Sequence, residues 1–101
     1  MNKFIEDLVL VSSSNDMDTS LVRITSIDME LKLKQKREKD RRGGWWEEDF
    51  TLDELQDALS KHFSRAVKDP SQWIDVANFA AMAHVKTNYL GQKYEVNNER
   101  T

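Results

Sequence analysis

Asp75 and Asn78 are the polar residues whose chemical type fits their surroundings least. They lie three positions apart in a segment, Trp73 to Val85, that is otherwise almost entirely apolar. This spacing places both side chains on one edge of a helix. Because a carboxylate removed from water must be paired or coordinated, the two residues form a candidate ligand edge. A simpler interpretation places Asp75 in the first helical turn, at the rim of the core, where the helix dipole favours its charge.

Most other catalytic chemistry lacks the residues to carry it. The 101-residue chain contains no cysteine and only two histidines, neither in an HExxH pattern. The lack of cysteine excludes disulfides, thiol catalysis and thiolate metal sites. Neither phosphate-binding pattern, GxxxxGKS/T or GxGxxG, occurs in the sequence. We therefore predict no catalytic residue and expect no cofactor, which leaves carboxylate chemistry as the only candidate.

A second candidate site surrounds the sequence GGWWEE at residues 43–48. Residues 32–42 include seven basic and two acidic residues, whereas residues 47–57 include six acidic and no basic ones. Two adjacent tryptophans cannot easily both be buried, and one exposed tryptophan beside charges is typical of a binding hot spot. Packing at a corner between helices is the alternative. The predicted partner-binding residues are Trp45, Trp46, Lys36, Arg37, Arg41, Arg42, Glu47 and Glu48.

The hydrophobic spacing predicts a mainly α fold, a small bundle or hairpin of three main helices at about 26–41, 51–68 and 70–89. Thr51 and Glu54 match a capping box at the start of the second helix. Asp69, followed by proline and by Gln72, predicts another capping box at the start of the third.

The ends of the chain are less well specified. Residues 1–24 are predicted to hold a short apolar element, strand or helix at residues 3–11, followed by a serine-rich loop at 12–20. Residues 92–101 are a polar tail that we expect to fray. By length the chain is one helical domain over residues 1–91.

One part of the sequence resembles a known group of proteins. Gly43-Gly44-Trp45, then Asp69-Pro70, then the segment Asp75 to Met82 (DVANFAAM) resemble small proteins encoded by bacteriophages and prophages. The last piece is also similar to the metal-binding helix of MazG-type all-α nucleotide pyrophosphohydrolases. The resemblance covers about 40 of the 101 residues.

The pyrophosphohydrolase resemblance implies an Mg²⁺ site with ligands Glu54, Asp57 and Asp75. The sequence departs from that pattern at Gln72 and at Asp57, since the family has glutamate at both places. Mg²⁺ prefers anionic oxygen ligands in strict octahedral geometry, so both changes weaken such a site. Helical geometry also points Glu54 and Asp57 away from the apolar stripe of their helix, and the alternative interpretation is a cap at Glu54 and an ion pair from Asp57 to Lys61.

Composition and resemblance together indicate a small cytoplasmic protein that acts by binding. The predicted partner of this phage-type accessory protein is a host protein of defence or replication, which it inhibits or modulates, and we also expect homo-oligomers. The alternatives are a divergent Mg²⁺-dependent nucleotide pyrophosphohydrolase or nucleotide-binding protein, and nucleic-acid binding by the basic run. The net charge of −3 makes nucleic acid the weaker prediction. The N-terminal sequence predicts no secretory signal and no membrane association.

Overall fold

The fold of the described residues is three α-helices and one short 3₁₀ turn, which confirms the predicted mainly α class. The computed structural model describes residues 14–39 and 44–94. In chain order the elements are α1 (Ser14–Lys39), α2 (Leu52–Ala66), the 3₁₀ turn (Pro70–Gln72) and α3 (Trp73–Asn88). The predicted element at residues 3–11, the residues Arg41, Arg42 and Gly43, and the end of the tail lie outside the described residues.

Helix α1 starts a full twelve residues before the predicted start at residue 26, so the predicted loop at 12–20 is wrong from Ser14 onward. Serine, asparagine and aspartate are modest helix formers that also favour turns, which is why their cluster resembled a loop. Met17 and Ser20 extend the spacing of the later apolar residues back by two turns. Asp16 lies in the first turn, where the helix dipole favours a carboxylate.

Helix α2 has the predicted N-cap. Thr51 has extended backbone geometry, and its hydroxyl accepts a hydrogen bond from Glu54 N–H at 3.1 Å. The stripe on this helix supplies the buried apolar side chains of the described chain: Leu52, Leu55 and Ala66. Phe63 lies on the same stripe by its spacing but is about half exposed, and its ring meets Trp73 edge to face.

The junction between α2 and α3 differs from the predicted second capping box. The Asp69 carboxylate accepts from the backbone N–H and the hydroxyl of Ser71, at 3.2 and 2.7 Å. It therefore caps the 3₁₀ turn rather than an α-helix, and α3 begins only at Trp73. The carbonyl oxygen of the Gln72 side chain contacts His62 instead of the backbone of Asp69.

Helix α3 lies at the centre of the fold, in contact with both other helices. It forms a hairpin with α2, and the C-terminal half of α1 packs across it. Among the described residues, no helix combines the length and apolar character required to cross a membrane.

Candidate functional site

The polar edge of α3 faces the inside of the fold. Asp75 and Asn78 are each 3 % exposed and Lys86 is fully buried, whereas Trp73 on the apolar side of the helix is 46 % exposed. The interpretation that placed Asp75 at the rim of the core is therefore wrong. The residues of this helix that need partners most are the ones that the fold encloses.

Asp75 is paired with a lysine from another helix. Lys36 Nζ lies 2.8 Å from Asp75 Oδ1, and His62 Nδ1 lies 3.7 Å from Asp75 Oδ2. The Lys36 contact is an ion pair whose angles do not make a hydrogen bond to Oδ1. His62 Nδ1 is closer to Gln72 Oε1, at 2.8 Å. A basic residue of α1 thus offsets the charge of a carboxylate that is almost fully buried, and the ring of a histidine of α2 lies beside it.

Asn78 joins α3 to α1 but is only half satisfied. Its side-chain amide donates to the Met29 carbonyl at 3.3 Å, while its Oδ1 is buried without a hydrogen-bond partner. The predicted ligand edge of Asp75 and Asn78 is therefore a buried helix contact, with one amide oxygen left unpaired.

The three predicted Mg²⁺ ligands do not meet. Within residues 14–39 and 44–94, no group of three or more histidine or acidic side chains is placed to hold a metal ion. Glu54 and Asp57 are exposed on α2, and Asp75 is directed toward Lys36 and His62. The described part of the chain also shows no ion pair between Asp57 and Lys61.

Lys86 holds the segment from Gly44 to Phe50, which we name the tryptophan turn. Its ammonium donates to the Trp45 carbonyl at 2.6 Å and to the Glu47 carbonyl at 2.9 Å, and it lies 5.7 Å from the centre of the Phe50 ring. Burial lowers the pKa of Lys86 below its ordinary value of 10.5, while Asp49 and Glu48 oppose that shift.

A second side chain holds the same turn. Gln92 donates from Nε2 to the Trp46 carbonyl at 2.9 Å. Gly91 has a φ of +68°, a conformation that suits glycine, and the reversal lets Gln92 N–H donate to the Lys86 carbonyl. Three consecutive carbonyls of the turn, at residues 45–47, are therefore bound by side chains from the end of α3 and just beyond it.

The two tryptophans have different environments, as the sequence predicted. Trp45 is partly buried and Trp46 is 49 % exposed, with the two rings edge to face at 5.9 Å. The Arg37 guanidinium stacks on the Trp46 ring at 5.1 Å. A β-carbon at residue 44 would overlap that ring, so Gly44 is required by close packing as well as by any role in ending the helix.

A groove of about 420 Å³ opens beside Trp46, between α1, the tryptophan turn and α3. Lys36 and Arg37 supply basic groups from α1, and Asp49 and Glu54 supply acidic groups from the turn and α2. The lining residues are Leu33, Lys36, Arg37, Gly44, Trp45, Asp49, Phe50, Glu54, Phe79 and Met82. The groove can therefore take an apolar side chain flanked by charges of both signs.

The fold brings together most of the predicted partner-binding residues that it describes. Lys36, Arg37 and Trp45 line the groove. Trp46 packs against Arg37, one of the lining residues, and Glu47 and Glu48 are exposed on the tryptophan turn. Arg41 and Arg42 lie outside the described residues, so their placement stays a prediction.

Sequence reasoning missed Lys86, Gln92 and His62. Lys86 shared the narrow polar edge of α3 with Asp75 and Asn78, and an isolated polar edge on an apolar helix was the available signal. Its burial depends on carbonyls about forty residues away, which periodicity does not show. Gln92 was assigned to the polar tail because its partner, Trp46, is equally distant in sequence.

Comparisons with known proteins do not indicate a function, so the functional proposal rests on this geometry. No family model, curated protein or solved structure matches the chain.

Proposed function

We propose that this protein acts by binding a partner protein through Trp46 and the adjacent groove, and that it modulates that partner without catalysing a reaction. The observation that carries the proposal is the clamped tryptophan turn, in which the Trp45, Trp46 and Glu47 carbonyls are all bound by side chains. A large aromatic residue that is half exposed on a fixed backbone loses little conformational freedom on binding.

The groove indicates the chemistry of the partner. Its apolar residues include Leu33, Phe79 and Met82, and its charged residues are basic on α1 and acidic near the start of α2. We expect a protein segment that inserts one apolar side chain and carries charges of both signs beside it. The resemblance to small phage and prophage proteins supports a bacterial host protein of defence or replication as that partner.

Catalysis is not part of the proposal, since the Asp75 carboxylate is committed to Lys36 and does not meet Glu54 or Asp57. Binding of nucleic acid is also left out, because the groove mixes basic with acidic side chains.

The test compares two tryptophans of equal exposure. Tagged wild-type protein, Trp46→Ala and Trp73→Ala are used to capture proteins from bacterial lysate, and the captured protein is then purified and titrated by calorimetry. Trp73 is 46 % exposed and Trp46 is 49 % exposed, and Trp73 does not line the groove, so Trp73→Ala is a matched control. We expect Trp46→Ala to raise the Kd at least about tenfold and Trp73→Ala to leave it nearly unchanged.

Two results would contradict the proposal. One is equal affinity of wild type and Trp46→Ala for the partner, or an equal loss of affinity in Trp46→Ala and Trp73→Ala. The other is release of pyrophosphate from a nucleoside triphosphate in the presence of Mg²⁺, abolished in Glu54→Gln. Glu54 is exposed, so that substitution does not endanger the fold.

A further inference from the structure

A stripe of residues with alternating spacings of three and four runs along α1. It consists of Met17, Ser20, Ile24, Ile27 and Leu31, and we name it the heptad stripe. This period of 3.5 residues is the pattern by which two helices pack as a coiled coil. The pattern ends after Leu31, because the next position in the series is Lys34.

Most of the heptad stripe lies on a different side of α1 from the contact with α3; Leu31, at its C-terminal end, borders a cleft with Trp73 and Ala77 of α3. Met29 and Lys36 mark the side in contact with α3, through the Met29 carbonyl and the Lys36 ammonium. The centre of the stripe is about 150° around the helix from them. Ile27 is 58 % exposed and Leu31 is 53 % exposed, and among the described elements only α3 packs against α1.

The described part of the chain leaves apolar surface that a second copy would cover. Helix α1 has 26 residues and is about 39 Å long, whereas α3 has 16 residues and is about 24 Å long. The N-terminal part of α1 therefore extends past its support. The fully enclosed apolar side chains of the described residues are only Leu52, Leu55 and Ala66, a small core for a stable monomer.

We propose that the heptad stripe binds the same stripe of a second copy of this chain, as a parallel two-stranded coiled coil in register. The charges beside the stripe favour this arrangement. Arg23 and Asp28 lie on its two flanks, five residues apart, which is the spacing that pairs across a parallel coiled coil. Each Arg23 then faces Asp28 of the partner subunit, and the pair occurs twice.

An antiparallel arrangement is less well supported by the same charges. It would direct Arg23 toward Glu30 of the partner subunit, but Glu30 already pairs with Lys34 of its own helix at 3.0 Å. The side chains of Arg23 and Asp28 form no ion pair within the described residues, so both are available in the parallel arrangement.

The first test measures mass by sedimentation equilibrium over a range of protein concentrations. We expect the wild type to reach twice the chain mass of 11.8 kDa. Ile27→Lys and Leu31→Lys should raise the dimer Kd at least about a hundredfold, because a charge enters the apolar seam. Val22→Lys is the matched control, since Val22 is 65 % exposed on the opposite side of α1 and its substitution should leave the dimer intact.

The second test exchanges charges to establish orientation. Arg23→Glu and Asp28→Arg should each weaken the dimer, and the double variant should restore it, because the pair is re-formed with reversed signs. In an antiparallel dimer the double variant would not recover. Far-UV circular dichroism confirms that each variant is folded, as expected for exposed positions.

The proposal is overturned by a wild type that stays monomeric up to millimolar concentration, or by a stable mass of three or four chains. It is equally overturned if Val22→Lys dissociates the dimer as strongly as Ile27→Lys, or if the charge-exchange double variant fails to restore dimerisation.

Discussion

At the scale of single residues, the ammonium group of Lys86 is fully buried because two backbone carbonyls replace its water. The Trp45 and Glu47 carbonyls accept hydrogen bonds from it, and Asp49 and Glu48 lie close enough to favour the charged form. A buried charge is tolerated only with such partners. Lys86 therefore determines where the tryptophan turn lies against α3.

Replacing Lys86 tests this role. Lys86→Met keeps the length of the side chain but leaves the Trp45 carbonyl without its donor, so we expect a loss of about 2–4 kcal/mol in the free energy of unfolding. Urea denaturation measures the loss. Lys61→Met, at an exposed position of α2, is the control and should change stability by less than about 0.5 kcal/mol. Equal effects of the two substitutions would contradict a clamping role for Lys86.

The pair of Asp75 and Lys36 predicts an asymmetry between single and double substitutions. Lys36→Met leaves a buried carboxylate without its cation, and we expect it to cost about 1–2 kcal/mol, less than a fully buried pair because the Lys36 side chain is 45 % exposed. Asp75→Asn added to Lys36→Met should recover part of that loss, since the amide is neutral. Denaturation of the two single variants and the double variant measures the coupling, and strictly additive losses would show that the two groups do not interact.

At the scale of elements, α3 is placed by polar contacts as much as by apolar packing. Asp75 binds Lys36 of α1, Asn78 binds the Met29 carbonyl of α1, and Lys86 binds the tryptophan turn. The hydrogen bonds of Asn78 and Lys86 are directional, so they determine the rotation of α3 about its own axis. The unpaired Asn78 Oδ1 is the cost of that arrangement.

The turn between α2 and α3 predicts a pH dependence. Hydrogen bonds from Ser71, and then from Gln72, hold the pKa of Asp69 below its ordinary value of 3.8. The folded chain therefore binds this proton less readily than the unfolded chain, and the contribution of Asp69 to stability is complete above pH 3.8 and is lost as the pH falls through the lower folded pKa.

Asp69→Asn supplies the comparison, because asparagine also caps a helix but does not titrate. The difference in unfolding free energy between wild type and variant should be constant near neutral pH. As the pH falls below 3.8, the wild type should lose stability relative to the variant. Urea denaturation at a series of pH values measures it. A difference that stays constant down to the lowest pH would contradict the assigned hydrogen bonds.

Local sequence signals predicted the helices with unequal success. The cap at Thr51 and the stripe of α2 are local features; the cap is confirmed, and the stripe is buried at Leu52, Leu55 and Ala66 but not at Phe63. The predicted start of α1 was wrong because a cluster of serine and aspartate is compatible both with a loop and with a helical N-terminus. The second capping box was wrong because Asp69 satisfies the nearer Ser71, which tightens the chain into a 3₁₀ turn.

At the scale of the whole molecule, the described residues enclose polar side chains and leave several large apolar ones exposed. The inward edge of α3 carries Asp75, Asn78 and Lys86, while Ile27, Leu31 and Trp73 are about half exposed. Apolar side chains exposed to water do not contribute the favourable free energy of burial, which binding of a partner chain over them would supply. The exposed stripe of α1 and the separate groove beside Trp46 give the molecule two distinct surfaces, one proposed for self-association and one for a partner.

The sequence alone determined the helical class, the cap of α2 and the expectation that the two adjacent tryptophans differ in exposure. All of these depend on residues within a few turns of one another. Tertiary structure alone decided that the polar edge of α3 faces inward, that Lys86 and Gln92 hold the tryptophan turn, and that Asp75 meets Lys36 rather than Glu54 and Asp57. The reason is physical: a side chain's spacing gives its face on a helix, but the partner that allows a charge to be buried can come from anywhere in the chain.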